Sequence, residues 1–398
     1  MKGRTILLDM FEGREAAALV VDGQLDDLLI ASDAPAPGTI YRARADRPVK
    51  GQGGMFVTTS EGPAFLRQTK GLAPGGPLLV QVSGYAEPGK AMPVTTRLLF
   101  KSRYAIVTPD APGLNISRQI RDDDLRDELQ GLAREVMGDS DHGLILRSSC
   151  TNAHPDDIAE DVTRMAELAL AVMGDAEGDP EKLVDGDTPH TLAWREWTDA
   201  ADVVTDTGCF EHQGVLDAID AARQAHHPLP GDGHLFIEPT RALVAVDVNT
   251  GRDTSLAAGH KANMACARVL PRALRIRGLS GQITLDLAPM AKKERRGFET
   301  ALRAAFRADP VETALAGWTP LGHYELQRKR DRVPLPAERP HMSCPVCSKP
   351  TAQDWRPFCS RRCADLDLGK WMTGAYVLPA NDETEEDSLP EPPITKPH

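Results

Sequence analysis

Two aspartates, Asp247 and Asp286, lie within apolar segments that contain no lysine or arginine to pair with them. Alternation at period two and β-branched residues predict one strand over 243–251 and another over 282–287. A buried carboxylate without a partner is costly, so each is expected to be protonated, to face a cleft at a strand end, or to bind a cation. Either could also be an ordinary residue that starts a turn. The pair favours a cation, because Mg²⁺ takes a few carboxylate oxygens and leaves room for a phosphate.

Asn249 lies two residues after Asp247, on the same face of the predicted strand. There its amide could orient a phosphate or a metal-bound water. The three residues together predict a magnesium-assisted phosphodiester hydrolase. The sequence shows no evident catalytic histidine, which favours attack by metal-activated water over attack by a ribose 2′-hydroxyl.

These residues also carry a resemblance to a known family. Segments 233–251, 272–281 and 283–286 resemble the catalytic core of the ribonuclease E/G family of endoribonucleases, and the resemblance continues through 295–303 and 322–330. It implies that Asp247 and Asp286 bind magnesium, that Asn249 is catalytic, and that single-stranded RNA is cleaved to 5′-phosphate and 3′-hydroxyl ends in rRNA processing and mRNA decay. The chain departs from the family at Pro289, where a second acid is often found, so catalytic efficiency is in question.

The same resemblance implies an α+β multidomain architecture. Turn-rich short strands in the segment 39–104 independently suggest a small barrel. The expected divisions are an RNase H-like subdomain split between 1–36 and 186–228, an S1-type OB barrel at 37–104, a 5′-sensor at 105–185, a DNase I-like catalytic subdomain at 229–338, a zinc finger at 339–380 and a disordered acidic tail at 381–398.

Three residues of the predicted barrel are candidates for RNA contact. Phe56 and Phe65 lie on adjacent predicted strands, where aromatic rings stack on bases, and Lys90 could touch phosphate. Spacing alone would allow both phenylalanines to be barrel core. Their segments resemble the two aromatic positions of the family's S1-type domain, which favours the RNA contact.

Arg147 and Ser148 are the last two residues of a predicted strand at 142–148. The segment resembles the family's sensor of a 5′-monophosphate, in which an arginine grips the phosphate and a hydroxyl adds a donor. Serine replaces the usual threonine, and the following loop differs from the family's glycine-rich version. By default an arginine at this position would be a surface residue.

The formal net charge of −12 argues against nucleic-acid binding, but the charge is unevenly distributed. Acidic residues concentrate in 122–128 and in the tail. Basic clusters flank the aspartate strands, where an RNA backbone would lie, although any one of them could be an ordinary solvated face. Their members are Arg268, Arg272, Arg275, Arg277, Lys292, Lys293, Arg295, Arg296, Arg328, Lys329, Arg330 and Arg332.

Four of the seven cysteines form two close pairs, Cys344 with Cys347 and Cys359 with Cys363. Four thiolates in a segment too small to fold unaided predict a structural zinc ion, in preference to a redox dithiol. The surrounding segments 343–350, 355–371 and 376–379 resemble the YacG family of small zinc proteins that inhibit DNA gyrase, which makes gyrase a possible partner. Because all four cysteines are local, a zinc-linked dimer is doubtful, although a homo-oligomer stays possible.

The remaining features predict little chemistry. Cys150, Cys209 and Cys266 are expected to be reduced packing residues. His226 and His227, at the end of a predicted helix, would diverge by about 100° and so would not share a metal. Without a secretory signal or an apolar run long enough for a membrane helix, a cytoplasmic protein with no membrane span is expected.

A second function of a different class fits the sequence. Pro289, the altered sensor loop and the negative charge would suit a catalytically impaired regulator that binds RNA or gyrase through its finger. The retention of Asp247, Asn249 and Asp286 argues for an active nuclease, since a decayed site would be free to lose them.

Overall fold

A computed structural model of the chain describes residues 3–49, 51, 53–67, 71–109, 111–255, 257–335, 344–347, 349, 351, 355 and 357–372. The chain divides into two compact units, Met1–Pro336 and Ala337–His398. The predicted acidic tail lies outside the described residues, so that prediction is not tested.

The strands alternate irregularly with the helices along the chain. The strands are β1 (Arg4–Phe11), β2 (Arg14–Val21), β3 (Gln24–Ile30), β4 (Ile40–Val49), β5 (Gly54–Thr59), β6 (Gly62–Leu66), β7 (Pro77–Val82), β8 (Met92–Thr95), β9 (Phe100–Lys101), β10 (Ala105–Thr108), β11 (Leu114–Ile116), β12 (Gly143–Leu146), β13 (Glu181–Val184), β14 (Asp202–Val204), β15 (His226–Pro228), β16 (His234–Pro239), β17 (Val244–Asn249), β18 (Gly281–Asp286), β19 (Thr313–Trp318) and β20 (Tyr324–Arg328). The helices are α1 (Asp123–Met137), α2 (Pro155–Gly174), α3 (Pro189–Glu196), α4 (Cys209–His212), α5 (Val215–Arg223), α6 (Ala258–Ile276), α7 (Lys292–Ala308) and α8 (Arg361–Met372), with a 3₁₀ turn at Ser148–Asn152.

The first sheet has the order β14-β1-β2-β3. Asp22 and Gly23 have φ of 50° and 78°, the left-handed values that a tight turn between β2 and β3 requires. β14 pairs in parallel with β1, so a segment from much later in the chain completes this sheet. Helices α3, α4 and α5 pack against the sheet.

Strands β4, β5, β6, β8 and β7 form a closed barrel, because β4 pairs with both β5 and β7. Small and apolar side chains fill its interior, including Ala43, Met55, Val57 and Leu66. β13 pairs with the first residues of β4. The barrel predicted from short strands is therefore confirmed, although residues 94–100, whose pattern predicts one strand, are divided between β8 and β9.

The next layer consists of the sheet β11-β12-β10-β9 with α1 and α2 packed on it. The spacing of Ile158, Val162, Met165, Ala169 and Val172 predicts one apolar helix face, which the structure confirms: Met165 is partly buried and the other four are buried. The mixed α+β class expected from the sequence agrees with all of these layers.

The largest sheet has the order β15-β16-β17-β18-β20-β19. Alternate residues of its strands, such as Val246 and Leu285, are buried against α6 and α7 in one hydrophobic core. The residues between them, with the opposite parity, point to the other face and are exposed or half-buried. We call this second surface the open face, and the candidate catalytic residues lie on it.

Candidate catalytic face and metal centre

Asp247 and Asp286 lie side by side on the open face. β17 and β18 run parallel, and in their register Asp247 is the direct partner of Asp286. Paired residues on neighbouring strands share a face, and the strands are about 4.8 Å apart. The two carboxylates, 39 positions apart in sequence, are thus brought together by the pairing of two strand ends.

The expectation that these aspartates are buried is wrong. Both are exposed, and the side chain of Asp286 is 69% exposed. Their apolar neighbours point toward α6 and α7, whereas the aspartates have the opposite parity. The cost of desolvation therefore gives no argument for a cation, and the argument depends instead on the juxtaposition of two like charges.

Asn249 and His323 complete the polar cluster. Asn249 Nδ2 donates a hydrogen bond of 2.8 Å to Asp247 Oδ2, as expected for two residues on one strand face. His323 Nε2 lies 3.7 Å from Asp286 Oδ1, on the far side of the pair. The sequence analysis missed this histidine, because it follows a turn between β19 and β20 and only the sheet register brings it to Asp286.

The segment after Asp286 is fixed to α6 by one buried amide. Asn263, completely buried, donates to the carbonyl of Ala288 at 2.8 Å and accepts from its N–H at 3.1 Å. Gly259 lies directly under Pro289, where a Cβ would collide with the proline carbonyl oxygen. Pro289 is exposed. α6 therefore sets the path of the chain as it leaves β18.

This donor set fits a magnesium ion. Two exposed carboxylates on neighbouring strands provide the one or two protein ligands that Mg²⁺ commonly takes, and the open side leaves space for water and phosphate. Asn249, held by Asp247, adds an amide oxygen at the edge of the site.

Phe56 and Phe65 lie outside the barrel core. They are direct partners on β5 and β6, with ring centroids 5.5 Å apart in an edge-to-face arrangement. Phe56 is 37% exposed and Phe65 is half-buried, so the interpretation of these rings as barrel core is wrong. Lys90 is exposed, and its ammonium pairs with Glu87.

Arg147 is already bound to acceptors within the protein. Its guanidinium donates to the carbonyl of Ser102 at 2.7 Å and pairs with Glu196 at 2.5 Å. Burial alone would raise the pKa of Glu196, but the charges of Arg147 and Arg195 outweigh it and lower the pKa. Ser148, half-buried, starts the 3₁₀ turn that follows. A phosphate bound here would compete with Glu196 for the arginine.

Several of the predicted RNA-facing arginines are structural. Arg275, Arg277 and Arg328 are buried, and Arg328 is 1% exposed. Arg275 and Arg328 both pair with Asp309, the second at 2.9 Å. The prediction that these clusters line an RNA path is wrong for those three. Lys292, Lys293 and Arg296, on the first turns of α7, are exposed.

Six charged side chains, most of them buried, form one connected network, which we define as Asp26, Asp27, Arg275, Asp309, Arg328 and Arg332. Arg275 Nη2 pairs with Asp26 at 3.1 Å, and Arg332 Nη2 pairs with Asp27 at 3.1 Å. The indole N–H of Trp197 also donates to Asp27 at 3.3 Å. The network joins β3 of the first sheet to α6 and β20 of the largest sheet.

The four clustered cysteines converge in the second unit. Their sulfur atoms all lie within 4.8 Å of one another, and Cys347 and Cys363 each lie within 3.7 Å of Cys359. Sulfurs around tetrahedral zinc, with Zn–S bonds of about 2.3 Å, are separated by about 3.8 Å. Burial would raise the pKa of the Cys344 thiol, but backbone N–H groups outweigh it and lower the pKa to about 6. The cluster therefore has the geometry of a structural zinc site.

The three scattered cysteines are free and buried, as expected of packing residues. Burial raises the pKa of Cys150 and Cys209 to about 11 and that of Cys266 to about 12. His226 and His227 lie on β15, because α5 ends at Arg223 instead of continuing to His226. Their side chains diverge, as predicted, but the reason is that neighbouring residues of a strand point to opposite faces of the sheet, and not that they are rotated around a helix.

Comparison with known proteins accounts for this combination of a two-aspartate sheet and a cysteine cluster. The chain matches the Ribonuclease E/G family over residues 100–207 and 195–331, which include both aspartates. The chain belongs to this family. A second match, to the family DNA gyrase inhibitor YacG, covers residues 342–389 and all four cysteines.

Individual relatives agree with both matches. A ribonuclease E of Nostoc sp. is 25% identical over 84% of this chain, and a ribonuclease G of Salmonella typhimurium is 24% identical over 86% of it. The DNA gyrase inhibitor YacG of Ruegeria pomeroyi is 58% identical over 48 residues, which are 80% of that protein. The chain spans 57% of the length of the Nostoc protein and 82% of the Salmonella protein. Among the described residues, no helix is both long and apolar enough to span a membrane.

Proposed function

We propose that the chain is a magnesium-dependent endoribonuclease that cleaves single-stranded RNA to 5′-phosphate and 3′-hydroxyl ends, in the processing of ribosomal RNA and the decay of mRNA. The observation that carries the proposal is the register that pairs Asp247 with Asp286 on the open face. Membership of the Ribonuclease E/G family supports RNA as the substrate.

In this proposal each polar residue of the open face has a separate task. Asp247 and Asp286 hold the ion. Asn249, oriented by Asp247, positions the phosphate or donates a hydrogen bond to it. When bound there, Mg²⁺ supplies Lewis-acid activation of water and neutralises charge on the phosphate. Lys292 and Lys293, exposed at the start of α7, attract the RNA backbone toward the pair.

The remaining subdomains present the RNA. We assign the first sheet to an RNase H-like subdomain, the barrel to an S1-type domain and the largest sheet to a DNase I-like subdomain. The outward edge-to-face pair Phe56 and Phe65 supports base stacking on the barrel, with Lys90 near the backbone.

Arg147 and Ser148 are proposed to bind a terminal 5′-monophosphate, in competition with Glu196. The test is the ratio of cleavage rates on RNA with a 5′-monophosphate and with a 5′-hydroxyl. Glu196→Gln, which weakens the competing pair, should increase this ratio, and Arg147→Ala should reduce it to one. Equal rates on both substrates in all three proteins would remove this part of the proposal.

The nuclease itself is tested with a fluorescent, A/U-rich single-stranded RNA in magnesium and in EDTA. Cleavage should need magnesium, and Asp247→Asn should slow it on the order of 10³-fold, as expected when a ligand of the charge-stabilising group is lost. The product ends should be 5′-phosphate and 3′-hydroxyl; a 2′,3′-cyclic phosphate would instead indicate attack by the ribose hydroxyl, with His323 beside the pair. RNA binding without cleavage at any magnesium concentration would support the catalytically impaired regulator.

The finger is proposed to hold one zinc ion per chain and to contact DNA gyrase. The 58% identity to a protein named as a gyrase inhibitor supports this partner. Purified protein should contain one zinc, and it should inhibit gyrase supercoiling in a manner lost in Cys359→Ser. Normal supercoiling at a saturating concentration of zinc-loaded protein would exclude the gyrase contact.

A further inference from the structure

An aromatic cluster that the proposed mechanism does not use lies on the open face. The rings of His226 and His234 are 5.0 Å apart between centroids and are tilted by 34°. The Phe236 ring lies 5.4 Å from each and meets them at 67° and 88°. His226 is exposed and the other two residues are half-buried, so the outer surface of the cluster is accessible to a ligand.

The sheet register places this cluster beside the two aspartates. His226 pairs with Phe236, Phe236 pairs with Asp247, and Asp247 pairs with Asp286, so these four residues form one row across four strands. His234 pairs with Asn249 in the next row of the same face. Because neighbouring strands are about 4.8 Å apart, Phe236 on the next strand lies about 5 Å from Asp247, and His226 one strand further lies about 10 Å from it.

Packing and metal binding do not explain these residues. The hydrophobic core of the sheet lies on the other face, where Leu235 and Ile237 point toward α6 and α7. The part of the chain that the structure describes contains one group of three or more metal-binding side chains within 4.8 Å, the four cysteines, so the two imidazoles lack a third ligand. Accessible rings next to a phosphate-binding position are instead the arrangement that stacks unpaired bases.

We propose that His226, His234 and Phe236 form a stacking surface for one unpaired base of single-stranded RNA, in a nucleotide flanking the phosphate held at Asp247 and Asp286. The proposal rests on the nuclease function proposed above. The cluster positions the strand in the site, because a stacked base on one side of the scissile bond fixes which phosphate lies over the carboxylates. It does not take part in proton transfer.

The experiment removes bases one at a time. RNAs with a single abasic nucleotide at each position near the cleavage site are compared with the intact RNA. In the wild-type protein one position flanking the scissile phosphate should lower kcat/KM by about 5- to 150-fold, the factor expected for one base–aromatic stack and a loss separate from that of a base stacked on the barrel. Phe236→Leu and His226→Ala should slow cleavage of intact RNA and abolish the extra loss at that position. His227→Ala, on the same strand but the opposite face, should keep the wild-type pattern.

Equilibrium binding of a short single-stranded RNA in EDTA gives a readout that is independent of cleavage. Phe236→Leu and His226→Ala should weaken binding by a similar factor, and His227→Ala should not, with thermal unfolding used to check each fold. A wild-type protein that binds but does not cleave would overturn the nuclease, whereas weaker binding in the ring variants would still support the stacking surface. Cleavage with no position-specific loss, or ring variants that bind as tightly as wild type, would overturn the stacking surface alone.

Discussion

Two groups of aspartates in the same unit have opposite surroundings. Asp247 and Asp286 lie on the open face and have no arginine partner among the described residues, whereas Asp27 and Asp309 lie inside the buried network with side chains 3% and 1% exposed. The flanking sequences predict the reverse: the first group of aspartates would be buried, and the arginines that pair with the second group would face RNA. The role of a charged residue, catalytic or structural, depends on which side of a strand it lies and on the distant residue that it contacts. The polarity of its neighbours in sequence does not determine that role.

The largest effect is expected at Asp309. Asp309→Ala leaves Arg275 and Arg328 buried beside each other without their shared carboxylate, so the free energy of unfolding should fall by about 3–5 kcal/mol. Urea unfolding followed by tryptophan fluorescence measures this. A loss below about 1 kcal/mol would mean that the network is not structural and would remove the contrast between the two groups.

Asn263→Ala tests the link between the core and the open face. The substitution leaves the N–H and carbonyl of Ala288 without their buried partner, which should cost about 1–3 kcal/mol of stability. Because Ala288 follows Asp286 by two residues, cleavage should also slow at a temperature where the variant stays folded. Full activity together with lost stability would show that α6 does not position Asp286.

Glu196 is intermediate between the two groups of aspartates, because it is half-exposed but is paired with Arg147 and Arg195. Its pKa is lowered from the ordinary value of 4.5, so its pairs stabilise the folded chain above that pH and are lost as pH falls through the lowered pKa. The free energy of unfolding of the wild type should therefore decline more between pH 5 and pH 3 than that of Glu196→Gln. Identical pH profiles would contradict the assignment.

The smallest change in stability is expected on the open face. Asp286→Asn should alter the free energy of unfolding by no more than about 0.5 kcal/mol, because the side chain is exposed and contacts no buried charge in the part of the chain that the structure describes. The same variant should lose cleavage. A large loss of stability would mean that the open-face pair is structural like Asp309.

Local patterns were sufficient to predict much of the fold. Alternation and flanking glycines predict strands at 54–59, 62–66 and 77–82, which are the bounds of β5, β6 and β7 in the structure. The pair Asp22-Gly23 likewise predicts the tight turn between β2 and β3, because these residue types tolerate positive φ. The apolar face of α2 could be predicted from helical periodicity. His226 could not be assigned in this way, because its strand is three residues long and forms only by pairing with β16.

The candidate site could be predicted only in part for the same reason. Asp247, Asn249 and the four cysteines lie close in sequence to residues of the same site, so spacing reveals them. His323 and Asn263 act through contacts made far from their own segments, with Asp286 and Ala288 respectively. The burial of Arg275 and Arg328 depends on Asp309, a partner that neither local charge pattern indicates.

The parallel pairing of β14 with β1 has a consequence for how the chain folds while it is synthesised on the ribosome. Strands β1 to β3 leave the exit tunnel early, but residues 31–201 must follow before β14 is available to close the sheet. At typical synthesis speeds of about 5–20 residues per second this takes on the order of ten to thirty seconds. During that interval the edge of β1 that later receives β14 exposes unpaired backbone N–H and C=O groups, which can pair with another chain.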